Sequence, residues 1–161
     1  MRHLFIVNPI AGGTSKYEFI AAVEAFATEK ALNYHVHTTR APGDAQAVAR
    51  RAVEASNLPI RVYSCGGDGT INEVINGIYS DSTGVMQKRE HVELAVLPIG
   101  SGNDFARYFA NPAAFLDLSA QLAATPVIID LLSVNGRLAI NLANIGLDAV
   151  VAHNMGRFRS L

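Results

Sequence analysis

Short apolar runs alternate along residues 1–126 with longer segments whose apolar residues recur at helical spacing. The run "HLFIV" ends at Asn8-Pro9, and the segment after it places Phe19, Val23 and Phe26 on one helical face. The predicted strands are 3–7, 34–39, 60–65 and 92–98. The predicted helices are 15–31, 43–56, 70–80, one entered from "GSGNDFARYFA" (100–110), and 113–124. Strands that alternate with helices are typical of a parallel sheet covered by helices.

The pattern changes after Pro126. The run "VIIDLLSV" (127–134), the pair Asn135-Gly136 and the run "RLAINLANI" (137–145) predict a β-hairpin, because Asn-Gly suits a tight primed turn. Another short apolar run follows within 146–161. We therefore predict a Rossmann-like α/β domain over 1–126. Residues 127–161 are predicted to be the opening strands of a truncated second domain, which would be rich in antiparallel β-structure.

Composition narrows the class of protein. The chain has 161 residues, of which 50% are hydrophobic and 17% charged, so a packed core is expected and disorder is not. A net charge of −1 offers no basic field for nucleic acid. The single cysteine, Cys65, cannot form an internal disulfide, and Asn8-Pro9 interrupts the first apolar run too early for a signal peptide. No apolar run is long enough to span a bilayer, so we expect a cytoplasmic protein.

Three of the predicted strands end in glycine-containing turns. These are "NPIAGG" (8–13), "GGDGTINE" (66–73) and "PIGSGND" (98–104). Ligands bind at the carboxyl ends of strands in open parallel sheets, so the three turns should face one crevice. Glycines let backbone N–H groups approach anionic oxygens, and a following helix adds its positive end. The pattern favours a phosphate site, although each glycine taken alone could simply form a tight turn.

The turns match neither of the two common phosphate-binding motifs. The chain has no G-x-x-x-x-G-K-[ST], and G-x-G-x-x-G does not follow the first strand. The second turn instead contains a carboxylate, Asp68. Bound phosphates would repel that carboxylate unless it met a metal ion or accepted a proton from a substrate hydroxyl. Asp68 is therefore a general base, an indirect Mg²⁺ partner or a plain helix N-cap.

Four other residues could be interpreted as functional, but a structural role is favoured for each of them. His35 and His37 share a strand face, but no nearby ligand completes a metal site, so we interpret them as a polar strand face. Cys65 is expected to be a buried strand residue. Asp130 lies in an apolar run, and we expect it to be buried and to support the structure.

The three turns together resemble the catalytic domain shared by diacylglycerol kinases, sphingosine kinases and related bacterial lipid kinases. The resemblance extends through "GDAQAVARRA", "IDLLSVNGR" and "INLANIGLDA", so it covers nearly the whole chain in order. The G-G-D-G-T run alone is also similar to NAD kinase, but N-P-x-x-G and G-S-G-N-D-F-A-R favour the lipid kinases.

The resemblance implies a set of nucleotide-binding residues. Asn8 and Gly12 would lie at the nucleotide, Thr39 would contact ATP, and Ser101 stands where threonine is usual and keeps the hydroxyl. The complete implied set is Asn8, Gly12, Thr39, Gly66, Gly67, Asp68, Gly69, Thr70, Asn72, Gly100, Ser101 and Asn103. Asp68 matches the aspartate that serves as the base in sphingosine kinases. In the bacterial members the proton acceptor and the Mg²⁺ ligands lie in the second domain, beyond these residues.

The resemblance also implies an activity. It is ATP-dependent phosphoryl transfer to a lipid hydroxyl such as that of diacylglycerol, in phospholipid metabolism, with Mg²⁺ at the phosphates. The lipid would be reached by transient peripheral contact with a membrane surface, and a homo-oligomer is compatible with the sequence. Alone, the chain is expected to be weak or inactive, because the metal ligands would lie elsewhere. The alternatives are a non-catalytic nucleotide-binding or regulatory module and, less favoured, an NAD kinase.

Overall fold

A four-stranded parallel sheet forms the centre of the molecule. The structure is a computed structural model that describes residues 1–12, 15–55, 57–81, 83, 85–143 and 149. The strands are β1 (Arg2–Val7), β2 (Asn33–Thr38), β3 (Ile60–Gly66) and β4 (Val92–Pro98). Their order is β2-β1-β3-β4, and each neighbouring pair is parallel. The predicted parallel α/β fold is confirmed.

Helices connect the strands and cover both faces of the sheet. They are α1 (Lys16–Glu29), α2 (Asp44–Glu54), α3 (Asp68–Tyr79), α4 (Asp104–Arg107), a 3₁₀ helix (Pro112–Leu116) and α5 (Leu118–Ala123). The single helix predicted over 113–124 is wrong. Asp117 divides it, because its backbone is extended and its carboxylate accepts hydrogen bonds from the N–H groups of Ser119 and Ala120. The third helix begins at Asp68, two residues before the predicted start.

The two faces of the sheet form separate apolar clusters. Along β1, Leu4 and Ile6 pack with α2 and α3, whereas Phe5 and Val7 pack with Val23 of α1. Side chains of successive strand residues point to opposite faces, so a strand covered on both sides is apolar throughout. All seven residues of β3 are buried, including two polar ones, Arg61 and Ser64.

The predicted hairpin forms, but its strands are short. They are β5 (Leu132–Val134) and β6 (Arg137–Ala139), which pair antiparallel in a separate sheet. Asn135 and Gly136 both have positive φ, 50° and 75°, as the primed turn requires. The strand predicted over 127–131 is wrong, since no strand in the described part of the chain lies beside it. Asp130 is exposed, contrary to our expectation.

The order of the strands determines where a ligand can enter. The chain passes from β1 outward to β2, then returns across β1 to β3. The carboxyl ends of β1 and β3 therefore mark the point where the direction of winding reverses, which is where open α/β sheets bind ligands. Among the described residues, no helix is long and apolar enough to cross a membrane. The predicted domain boundary after residue 126 stays a prediction, and the apolar run within 146–161 falls almost wholly outside the described residues.

Candidate nucleotide site

A cleft of about 1050 Å³ lies at the carboxyl ends of the parallel strands. All three glycine-containing turns contribute to its wall, as does the loop after β2. The residues of the predicted set that line it are Asn8, Gly12, Thr39, Gly67, Asp68, Gly69, Thr70, Gly100 and Ser101. The topology therefore brings together turns that are separated by up to about ninety residues in the sequence.

Asn8 connects the first turn to the second. Its backbone N–H donates to the carbonyl oxygen of Cys65 at 2.9 Å, and its Oδ1 accepts from the N–H of Ile10 at 3.1 Å. Its Nδ2 donates to Oγ1 of Thr70 at 3.2 Å. A single asparagine therefore fixes the end of β1 against the first turn of α3.

Two glycines allow the turns to touch backbone to backbone. Gly12 has a φ of 65°, and a Cβ there would collide with the carbonyl oxygen of Ile99. A Cβ on Gly100 would lie 2.8 Å from the backbone nitrogen of Gly67. These glycines are required for the packing of one loop on another. From the sequence alone, such a structural role and a phosphate-binding role were both open.

The first turn of α3 presents unused donors to the cleft. Gly67 is the N-cap of this helix, which runs for 12 residues. Within the described part of the chain, the N–H groups of Asp68 and Gly69 donate to no protein atom, whereas that of Thr70 returns to the carbonyl of Gly67 at 3.0 Å. Free N–H groups at the positive end of a helix are suited to hold an anion.

Asp68 stabilises a neighbouring helix rather than its own. Its Oδ1 accepts a hydrogen bond from the backbone N–H of Phe105, in the first turn of α4, at 3.2 Å. The interpretation of Asp68 as the N-cap of the following helix is wrong, because Gly67 occupies that position. Among the described residues no donor reaches Oδ2 of Asp68, so one oxygen of this cleft-lining carboxylate stays available.

Three residues of the predicted set do not line the cleft. Asn103 closes the third turn, since its Nδ2 donates to the carbonyl oxygens of Pro98 (3.0 Å) and Gly100 (2.7 Å). Gly66 is buried against the side chain of Thr70. The Nδ2 of Asn72 donates to the carbonyl oxygen of Leu138 in β6 at 3.1 Å, which turns it toward the hairpin.

The predicted set misses Glu73, which lines the cleft beside Asp68. Its Oε1 accepts a hydrogen bond from the N–H of Gly43 at 2.9 Å, so it holds the loop between β2 and α2. The sequence signal that could have identified Glu73 was its spacing, because a residue three positions after Thr70 and four after Gly69 lies on the same helix face.

Asp44 fixes the same loop from its other side. Its Oδ2 accepts from Nε2 of His37 and from the backbone N–H of Arg40, each at 3.0 Å. The hydrogen bond from His37, followed by that from Arg40, lowers the pKa of the Asp44 carboxyl. The described residues contain no group of three or more His, Cys, Asp or Glu side chains able to hold a metal.

Among the described residues, the charged side chains of the cleft wall are those of Asp68, Glu73 and Arg40, which are two carboxylates and one guanidinium. The Nε of Arg40 already lies 3.7 Å from the Asp44 carboxylate. Cys65 is fully buried, as expected, and its burial raises the pKa of its thiol, so it is no nucleophile at neutral pH. The cleft therefore supplies neutral donors and carboxylates but little net positive charge.

Comparisons with known proteins show the family of the chain. Residues 2–134 match the family model described as the diacylglycerol kinase catalytic domain. The chain is 32% identical over 148 residues to the diacylglycerol kinase of Bacillus subtilis (strain 168), which covers 90% of this chain and 46% of that protein. It is 34% identical over 140 residues to a Pseudomonas aeruginosa protein named "Probable lipid kinase YegS-like", covering 85% and 42% respectively.

A solved structure shares the fold. A diacylglycerol kinase from Bacillus anthracis str. Sterne superposes with a TM-score of 0.62 at 26% identity, over 96% of this chain and 52% of that one. The chain thus spans about half the length of the curated relatives and solved structures that it matches. With a matching family model over most of its length and relatives named as kinases, the chain belongs to the diacylglycerol kinase catalytic domain family.

Proposed function

We propose that this chain is the nucleotide-binding part of a lipid kinase, which transfers a phosphoryl group from ATP to a lipid hydroxyl such as that of diacylglycerol. The observation that carries the proposal is the meeting of three glycine turns and the start of α3 in one cleft of about 1050 Å³. A cleft of that size accommodates a nucleotide, and membership of the family supplies the class of reaction.

The polyphosphate would lie against the start of α3. The unused N–H groups of Asp68 and Gly69 are its donors, and the hydroxyls of Thr70 and Ser101 line the same cleft. The wall also includes apolar side chains that suit a flat base, namely those of Ile10, Ala41, Pro42, Ala45 and Leu116. A cleft with both kinds of surface fits a molecule that has an anionic and an aromatic end.

The lining fits Mg²⁺ as the partner of the phosphates. The cleft adds two carboxylates to an already anionic ligand and offers one paired guanidinium, so a cation is needed from outside the chain. Mg²⁺ commonly uses few protein ligands and is held by phosphates and water. When bound, it would neutralise charge at the phosphates.

We assign the catalytic role within this chain to Asp68. Its Oδ1 is held by the N–H of Phe105, which fixes the orientation of the carboxylate, and its Oδ2 has no donor among the described residues. That oxygen is available to accept a proton from the acceptor hydroxyl or a hydrogen bond from metal-bound water. The two roles share one prediction, which is that the negative charge of Asp68 is required.

The acceptor lipid would be reached elsewhere in the protein. We propose that a second, β-rich part of the protein, beginning at the hairpin, contributes remaining groups for catalysis and contacts the membrane surface transiently from the cytoplasm. The length of the relatives, about twice that of this chain, supports this division of roles.

A transfer assay on the full-length protein tests the proposal. The protein is incubated with γ-labelled ATP, Mg²⁺, NAD and vesicles that contain diacylglycerol and a mixed lipid extract, and organic and aqueous products are separated. We expect label in the organic phase, and its loss in the Asp68→Asn variant. Label on NAD would identify an NAD kinase instead. Bound ATP without any transfer would identify a non-catalytic nucleotide-binding module.

A further inference from the structure

The hairpin is attached to α3 through two asparagine side chains. Asn76 is 2% exposed, and its Nδ2 donates to the carbonyl oxygen of Leu138 at 2.8 Å. Its Oδ1 accepts from the N–H of the same residue at 2.9 Å. The amide of Asn76 therefore pairs with the backbone of β6 in both directions, as a neighbouring strand would.

A second asparagine one turn earlier reinforces this junction. The Nδ2 of Asn72 donates to the same Leu138 carbonyl at 3.1 Å, and the carbonyl of Asn72 accepts from Asn76 at 2.8 Å. The Leu138 side chain is buried with Ile71 and Ile75 of the same helix. Because a buried amide is stable only when its donors and acceptors are paired, this arrangement specifies one position of β6 on the helix.

The hairpin depends on this junction for its position. Its two strands have three residues each, and in the described part of the chain they pair only with one another. An isolated two-stranded hairpin is marginally stable in water. Its placement relative to the parallel sheet must therefore come from its contacts with the domain, of which the four-membered set of hydrogen bonds around Leu138 is the most specific.

The same helix carries the donors of the nucleotide cleft. The N–H groups of Asp68 and Gly69 start the helix, and Asn76 lies eight residues later, about 12 Å along the helix axis. We propose that Asn72 and Asn76 are positioning residues, which hold the hairpin and the acceptor-binding part that follows it at a fixed place relative to the bound nucleotide. The proposal rests on the proposed function, and it assigns Asn72 to the hairpin instead of the nucleotide.

Variants that keep the shape of the side chain test the proposal in the full-length protein. Asn72→Asp and Asn76→Asp remove the amide donors and place a carboxylate against the Leu138 carbonyl. Asn57→Asp is the matched control, since Asn57 is exposed and lies before β3, away from the cleft and the hairpin. The half-buried Asn72 serves as the second variant should Asn76→Asp fail to fold.

Three measurements distinguish a positioning role of Asn72 and Asn76 from a role in nucleotide binding. We expect kcat for lipid phosphorylation to fall by about 100-fold in both variants, as for misplaced reacting groups. The Kd for Mg·ATP should stay within about twofold of wild type, because the cleft residues are untouched. Hydrogen exchange at the Leu138 amide, followed by NMR, should become about tenfold faster or more in Asn76→Asp, because the Leu138 carbonyl oxygen repels the carboxylate and moves it away from the amide. Asn57→Asp should change none of the three.

Other results would overturn the positioning proposal or the proposed function, and they can be told apart. A Kd for Mg·ATP raised tenfold in Asn72→Asp, with normal exchange at Leu138, would make Asn72 a nucleotide ligand and overturn the proposal. Unchanged kcat in both folded variants would also overturn it. If wild-type protein neither binds ATP nor transfers phosphate, the proposed function fails, while the exchange of Leu138 still reports whether the asparagines hold the hairpin.

Discussion

Asp68 combines an observed structural contact with the catalytic role that we propose for it. The sequence identifies it as a carboxylate within a glycine turn, and the structure adds that one oxygen stabilises the start of α4. The remaining oxygen stays available in the cleft. The two roles depend on different properties, since an uncharged oxygen can accept the Phe105 N–H but only a carboxylate can take a proton or balance a metal ion.

Two substitutions of Asp68 separate these roles. Asp68→Asn keeps an oxygen that can accept from Phe105, so we expect the free energy of unfolding to change by no more than about 0.5 kcal/mol. Asp68→Ala removes that acceptor and should cost about 1 kcal/mol. Both should lower kcat by about 10²-fold or more, measured in the lipid transfer assay with the full-length protein. Normal turnover in Asp68→Asn would leave only the structural role.

The glycines at the cleft divide into those that are required for packing and those that are not. A Cβ on Gly100 would meet the backbone of Gly67, whereas nothing lies within 4 Å of a Cβ on Gly69. We expect Gly100→Ala to lower the free energy of unfolding by about 1–3 kcal/mol. Gly69→Ala, the matched control, should cause no loss, since alanine favours a helix by about 0.5–1 kcal/mol over glycine. Urea denaturation measures both, and equal stability of the two variants would contradict the loop contact.

Asp44 should make stability depend on acid pH. Hydrogen bonds from His37 and Arg40 lower its pKa in the folded state, so its contribution is complete above the unfolded pKa of about 3.9 and is lost as the pH falls through the lower folded value. We expect the difference in free energy of unfolding between wild type and Asp44→Asn to be constant near neutrality and to shrink below about pH 4. Urea denaturation at several pH values measures it, and a difference that persists to pH 2 would contradict the assignment.

At the scale of elements, a buried arginine attaches α5 to the sheet. Arg61 of β3 is 8% exposed, and its Nε pairs with Glu93 of β4 at 2.6 Å. Its Nη1 donates to the carbonyl oxygens of Gln121 and Leu122, in the last turn of α5. The guanidinium therefore donates to carbonyl oxygens at the end of a short helix, where no N–H group of the helix can reach them. It also links β3 to β4 through the pair with Glu93.

Removal of this guanidinium should be costly. Arg61→Met leaves Glu93 and the α5 carbonyls without their donor, so we expect a loss of about 2–4 kcal/mol in the free energy of unfolding. Lys88→Met is the control, because its pair with Glu90 is exposed and should contribute nothing measurable. Thermal and urea denaturation measure both variants, and similar stabilities would show that Arg61 does not hold α5.

The predictions from sequence succeeded where a local pattern determines the outcome. The parallel strands follow from apolar runs, and the hairpin turn follows from Asn135-Gly136, whose positive φ values only a few residues accept readily. They failed at Asp117, whose side chain accepts hydrogen bonds from the backbone two and three residues later and so divides a helix. They also failed at 127–131, where apolar residues lack a partner strand in the described part of the chain. Such outcomes depend on tertiary partners that periodicity does not reveal.

At the scale of the whole molecule, the strand order creates the candidate site. Placing β1 and β3 side by side brings the turn after each to the same edge, and β4 adds the third turn. The sequence was sufficient to predict that these turns meet, because parallel strands end at one edge. It could not reveal that Asn72 faces Leu138 or that Glu73 binds Gly43, since both contacts depend on how α3 lies between the hairpin and the loop after β2.

The central claim is that the start of α3 holds the phosphates of ATP in this cleft. The most direct test records the backbone amide resonances of the chain by NMR during titration with Mg·ATP. We expect the largest shifts at Asp68 and Gly69, whose N–H groups lack partners among the described residues, together with shifts at Gly100 and Ser101. Unchanged resonances at Asp68 and Gly69, with shifts confined to the opposite end of the sheet near Arg2, would contradict it.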